Sequence, residues 1–181
     1  AIVFQNRPLL HNITLLDNMR VLLKYFTTQN ESDRTEMSLQ KLDEFGVAEY
    51  AYHYPDELDQ SVTIRAAIAA ACALEPDILY LDEPTTGLDP LTTTQLNTQL
   101  SQLTHDTQMT LVITTNDLGC LYQIADRCLI LDDKTHTPLA YGNPHEIAKT
   151  TDDDRLKDFL THHGALQWNS PQQGRQHEIK N

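Results

Sequence analysis

ILYLDEPTTGLDP, residues Ile78 to Pro90, is the stretch on which the fold turns. Ile78 to Leu81 is an apolar run without polar alternation, the pattern of a strand covered on both faces in a parallel sheet. Asp82 and Glu83 close the run, and Pro84 stops the strand. Carboxylates at the C-terminal end of such a strand lie on the edge where open α/β sheets bind ligands. In a phosphate-handling site the first acid suits Mg²⁺, directly or through water. The second suits orienting or deprotonating an attacking water. Thr85 to Pro90 turns through Gly87 and puts a third acid, Asp89, at the start of a helix. Two acids that merely capped a strand end in solvent would not require that turn and third acid in one block.

The block resembles the Walker B motif and D-loop of the ABC-type (ATP-binding cassette) ATPases. IVFQN (Ile2 to Asn6) resembles that family's Q-loop, and YPDEL (Tyr54 to Leu58) the lead-in to its signature motif. LVITTND (Leu111 to Asp117) resembles the strand that leads to the switch position. The order is the family's order, from Ala1 to about Gly142. The resemblance implies an α/β fold, an incomplete P-loop NTPase with a parallel sheet core and a helical subdomain at about residues 7–75. It makes 1–150 a partial cassette and 151–181 a C-terminal helix and polar tail. It also implies ATP and Mg²⁺ as cofactors, with Gln5 and Asp82 at the metal. Glu83 and the switch residue Asn116 take the catalytic positions; Asp59, Ser61 and Asp89 take nucleotide-contacting ones. The implied partners are a transmembrane permease and a second ABC ATPase subunit, in a homodimer or heterodimer. The implied location is cytoplasmic, at the inner face of the cell membrane through that permease.

Three departures bear on activity. The pattern GxxxxGK[ST] does not occur in these residues; there are six glycines, and none precedes a lysine. That loop's amides and lysine supply most of the hold on the β- and γ-phosphates. Where the family's signature has a serine, two glycines and a glutamine, this chain has Asp59, Gln60, Ser61 and Val62. Glycines there let a phosphate approach the backbone, which a side chain prevents. Asp59 puts an anion where a donor is needed, at a cost on the order of 4 kcal/mol per charge pair at about 4 Å and an effective dielectric near 20. Asp59 is nonetheless a good N-cap, so the helix is expected to survive. Asn116 stands where the family has a histidine; it can donate a hydrogen bond but cannot carry the proton's charge. Arg65 keeps the family's arginine position, and Ala70 fills another where arginine is usual. The expectation is an ATPase subunit or fragment of a membrane transporter, impaired in hydrolysis, or else a non-catalytic interaction subunit on the same fold.

Composition narrows the partners. With 13 basic and 26 acidic residues the net charge is −13, which repels nucleic acid and anionic lipid. A nucleic-acid partner is therefore not expected. No apolar run approaches the roughly 18 residues a membrane span needs, and no leader pattern occurs, so a soluble, cytoplasmic chain is expected. Cys72, Cys120 and Cys128 are isolated and read as small core residues. The eight histidines form no ligand pair, and none is assigned to a metal.

The remaining elements follow from period and caps. Asn12 and Thr14 are candidate caps for a helix that buries Leu15, Met19, Leu22, Leu23 and Phe26. Ser32 is expected to cap a helix running to about Phe45, with Gly46 as its stop. An alanine-rich, buried helix is expected over Thr63 to Leu74. A further helix follows Pro90, a buried strand spans Met109 to Thr115, and Asp117 caps a helix over Leu118 to Ala125. Arg127 to Leu131 and Leu139 to Tyr141 read as strands, and Asn143 with Pro144 opens a helix. Residues 152–160, DDDRLKDFL, start an acidic helix before a polar tail too poor in apolar residues to fold alone. This ending is similar to the C-terminal extension of ATPase subunits in MCE-type lipid transporters of the bacterial envelope. There the extension docks on the neighbouring subunit, and lipid transport is what that similarity implies.

Overall fold

The structure, a computed structural model, describes residues 1–6, 8–132 and 134–162. The chain divides into two compact units, Ala1–Ala125 and the residues from Asp126 onward. The first unit holds a parallel sheet of β1 (Ile2–Val3), β2 (Ile78–Asp82) and β3 (Thr110–Thr114), with β2 in the centre. Ile2 lies opposite Tyr80, and Asp82 opposite Thr114. Parallel neighbours need long crossovers. Between β1 and β2 run α1 (Leu15–Phe26), α2 (Glu31–Glu44) and α3 (Gln60–Cys72); between β2 and β3 runs α4 (Pro90–Thr107). The helix α5 (Leu118–Ile124) ends the unit.

The helices start where short polar side chains take up free amides. Thr14 caps α1 by accepting from the Asp17 N–H at 3.1 Å. Asn30, not Ser32, caps α2, accepting from the Asp33 N–H at 3.0 Å. Two further α1 amides, of Leu15 and Leu16, donate to the carbonyls of His53 and Ala51. The expected alanine-rich helix begins three residues earlier than Thr63, because Asp59 is its cap. Ala66 to Ala71 are all buried, so α3 is wrapped by the core on most sides. Small side chains make that close wrapping possible.

Leu79 and Leu81 of β2 join Leu15, Met19 and Leu23 of α1, Leu42 of α2, Ile68 of α3 and Leu96 and Leu100 of α4 in one core. The expectation of a strand covered on both faces is corrected. Ile78 and Tyr80 are 42% and 46% exposed, whereas Leu79 and Leu81 are 0% and 2% exposed. The strand alternates one buried face with one open face. The strand at Met109–Thr115 is corrected likewise: Thr110, Val112 and Thr114 share the open side. Ile2, Phe4, Tyr80 and Val112 line a shallow apolar hollow there, beside Asp82 and Thr114.

Asn18 is a buried polar residue that the apolar period of α1 did not single out. Its amide donates to the carbonyls of Leu10, Ile13 and Thr14, and its Oδ1 accepts from the Leu10 N–H at 2.7 Å. It thereby fastens the segment after β1 to α1. Asn18→Ala is expected to cost about 1–3 kcal/mol, since it strands buried backbone groups. Urea unfolding measures it, and a loss within error would show that water replaces the side chain.

In the second unit, β4 (Cys128–Leu131) and β5 (Pro138–Gly142) pair antiparallel. The helix α6 (Pro144–Thr150) is capped by Asn143, whose Oδ1 accepts from the N–H groups of His145 and Glu146. The helix α7 (Asp154–His162) follows. Arg155 donates to Asp132 at 2.8 Å and to Asp153 at 2.8 Å, joining α7 to the hairpin turn. The polar tail of the sequence analysis, from 163 onward, lies outside the described residues. Among the described residues no helix is long and apolar enough to cross a membrane.

Candidate active site

The C-terminal ends of β2 and β3 bring Asp82, Glu83 and Asn116 together. The parallel register does this, because Asp82 pairs with Thr114 and the next residues of both strands turn out on the same edge. Thr114 donates its hydroxyl to Asp82 Oδ1 at 2.6 Å. Asn116 Nδ2 donates to Glu83 Oε1 at 2.8 Å, and the Thr86 hydroxyl donates to Glu83 Oε2 at 3.2 Å. Both Glu83 oxygens are therefore held, from two different segments. Asn116 acts here as a neutral hydrogen-bond donor that carries no titrating proton.

Glu83 sits in the left-handed region at φ +47°. For a residue with a side chain this costs on the order of 1–3 kcal/mol. The turn overdetermines it: the Glu83 N–H donates to the Thr114 carbonyl at 3.0 Å, and the Thr86 N–H donates to the Glu83 carbonyl at 3.2 Å. Pro84 and Thr85 behind it are at least partly buried. Thr85 donates to Asp117 Oδ2 at 3.4 Å, while Asp117 Oδ1 caps α5 through the Gly119 N–H. Sequence reasoning missed Thr114, Thr86 and Thr85. The registration of Thr114 against Asp82 is the signal that could have found the first; nothing local marks the other two.

The other predicted residues belong to other elements. Gln5 follows the end of β1, beside β2 on the same sheet edge. Asp59 caps α3, its Oδ1 accepting from the Val62 N–H at 2.9 Å, and Ser61 lies in the first turn. The amide that a signature helix would offer an anion is thus already engaged by the chain's own carboxylate. Asp89 caps α4, accepting from the Leu91 and Thr92 N–H groups at 3.0 and 3.1 Å. The Thr92 hydroxyl and then its N–H hold the Asp89 carboxyl below its ordinary value of 3.8. A lowered folded value adds stability that is present above the unfolded value and lost as pH falls through the folded one. Unfolding midpoints from pH 5 downward are therefore expected to fall more steeply for the native chain than for Asp89→Asn, which keeps a cap but does not titrate. Parallel acid limbs would contradict this.

Among the described residues no three His, Cys, Asp or Glu side chains come together as a metal site, so the carboxylate to weigh is that of Asp82. Asp82 is a hard oxygen ligand at a sheet edge, as Mg²⁺ prefers. The phosphate side has no comparable cradle in these residues, since α3 opens on Asp59. Cys72 and Cys120 are buried, and burial pushes their thiols up to about 11 and about 12, away from the thiolate form.

Comparison with known proteins gives the class. No protein-family profile matches the chain. The glycine betaine/proline betaine transport ATP-binding protein ProV of Escherichia coli is 34% identical over 160 residues, spanning 88% of this chain and 39% of that protein. The glutamine transport ATP-binding protein GlnQ of Escherichia coli is 32% identical over 162 residues, spanning 90% of this chain and 66% of that protein. The dimeric ABC transporter cassette MJ0796 superposes with a TM-score of 0.70 at 28% identity, covering 78% of this chain and 61% of that one. At 22% identity, cbiO1 from Clostridium perfringens shares the fold, with a TM-score of 0.72, covering 87% of this chain and 62% of that one. The chain has the α/β fold of an ABC ATPase cassette. Its homologues are ATP-binding subunits of ABC transporters, and it spans less than two thirds of the length of these relatives.

Proposed function

We propose that these residues are the Walker B, signature and switch portion of an ATP-binding subunit that powers a membrane ABC transporter. Asp82, with Gln5, holds Mg²⁺, and Glu83 orients the attacking water. The observation that carries this is Glu83 itself, fixed through both oxygens by Asn116 and Thr86 beside Asp82. The permease and a second ATPase subunit are the partners this reading calls for. They place the chain at the cytoplasmic face of a membrane. MJ0796 is known as a dimeric cassette, and cbiO1 as part of the transporter complex cbiONQ. Relatives named for betaine, glutamine and arginine transport favour a small zwitterionic cargo. A lipid cargo rests on the similarity around α7 alone.

A second reading is a non-catalytic interaction subunit on the same fold. Asp59 at the cap of α3 and Asn116 in place of histidine favour it, because both weaken phosphate handling without disturbing the fold. The test is phosphate release by a subunit that also carries a phosphate loop, with and without Glu83→Gln. On the catalytic reading the substitution lowers turnover by about 10²–10⁴-fold, the range of a lost general base. Equal, background rates in both proteins would favour the interaction subunit.

A further inference from the structure

Gln60 opens α3, and its side chain crosses to the turn behind Glu83. Its Nε2 donates to the Thr86 carbonyl at 2.7 Å. The next residue, Gly87, has φ +80°, and a Cβ there would stand 2.5 Å from Gln60 Oε1 and 3.2 Å from its Cδ. The carboxamide therefore lies against the bare α-carbon of Gly87. From Thr86 the path continues, since its hydroxyl and N–H both donate to Glu83, at Oε2 and at the carbonyl.

We propose that Gln60 is a positioning residue, a latch that ties the first turn of α3 to the Thr86–Gly87 turn and so sets the orientation of Glu83. Its base is firm, because Asp59 caps the same helix end. At its far end the φ of +80° favours glycine at position 87, and a Cβ there would push the flexible carboxamide aside. A movement of α3 then reaches Glu83 through the Gln60 side chain and Thr86. The catalytic meaning of the latch rests on the reading of Glu83 given above, but its geometry does not.

Nitrogen-15 NMR of the 181-residue chain tests it without nucleotide. Gln60→Ala removes the side chain, and Gln60→Glu keeps its length while removing the donor. Both are expected to shift the Thr86 and Gly87 amides and to move the Asn116 side-chain amide pair toward free-amide positions. The melting temperature should stay near that of the native chain, since Gln60 is exposed. An Asn116 pair unchanged in both variants, or shifts confined to α3, would overturn the latch. So would a native-like spectrum for Gln60→Glu, which would make the contact one of shape alone. A phosphate-release assay indifferent to Glu83→Gln would remove the catalytic reading, and these resonances would still decide whether the latch exists.

Discussion

The 181 residues on their own are expected to give no saturable heat with Mg-ATP, which places any Kd above about 1 mM, an affinity under about 4 kcal/mol. The reason is a count of what meets the phosphates. The backbone cradle and lysine of a GxxxxGK[ST] loop do not occur in this sequence. The helix end that could offer amides instead carries Asp59, which already accepts from the Val62 N–H. What remains is Asp82, an anion that helps a triphosphate only through a shared Mg²⁺. A carboxylate and one cation do not make a nucleotide site without donors on the other side of the metal. Calorimetry with Mg-ATP, and with Mg²⁺ alone as a control, measures this. One equivalent of micromolar binding that Asp82→Asn weakens would refute it.

Leu79→Ala is expected to destabilise the chain by about 2–5 kcal/mol, moving the urea midpoint by on the order of 1–2 M. Leu79 is fully buried on β2, the central strand, opposite Leu111 of β3. Truncation leaves a cavity in a core that α1, α3 and α4 share, and close-packed helices around it relax only in part. Tyr80→Ala is the paired control. Tyr80 lies on the open face and is 46% exposed, so its loss should cost under about half of the Leu79 value. Equal losses would mean that the open face is covered in solution. The pair of variants therefore tests the one-sided sheet as well as the core.

Much of the site was legible because it is local. Asp82, Glu83, Pro84 and Gly87 stand within six positions, and a strand end followed by a turn is written in residue types. The caps Thr14, Asp59, Asp117 and Asn143 were legible for the same reason: a short polar side chain meets an amide two or three residues on. Ser32 against Asn30 shows the limit, because both residues can cap and only the packing of α2 chose between them. The cover on β2 was not legible, since an apolar run does not say whether both its faces find a partner. Gln60 had no local signal at all. Its partners are 26 and 27 positions away, and a glutamine at a helix start is ordinarily solvated.

The amino-acid order alone was enough for the fold class: a parallel α/β core with an acid pair at a strand end. Folding in three dimensions decided which carboxylate oxygen meets which donor. Asn116, Thr114 and Thr86 reach the acids only because β2 and β3 run in register and Glu83 takes a left-handed backbone. Capping acts over a few bonds and can be read along a line. Hydrogen bonds between strand ends depend on register, twist and packing that emerge once the whole core has closed.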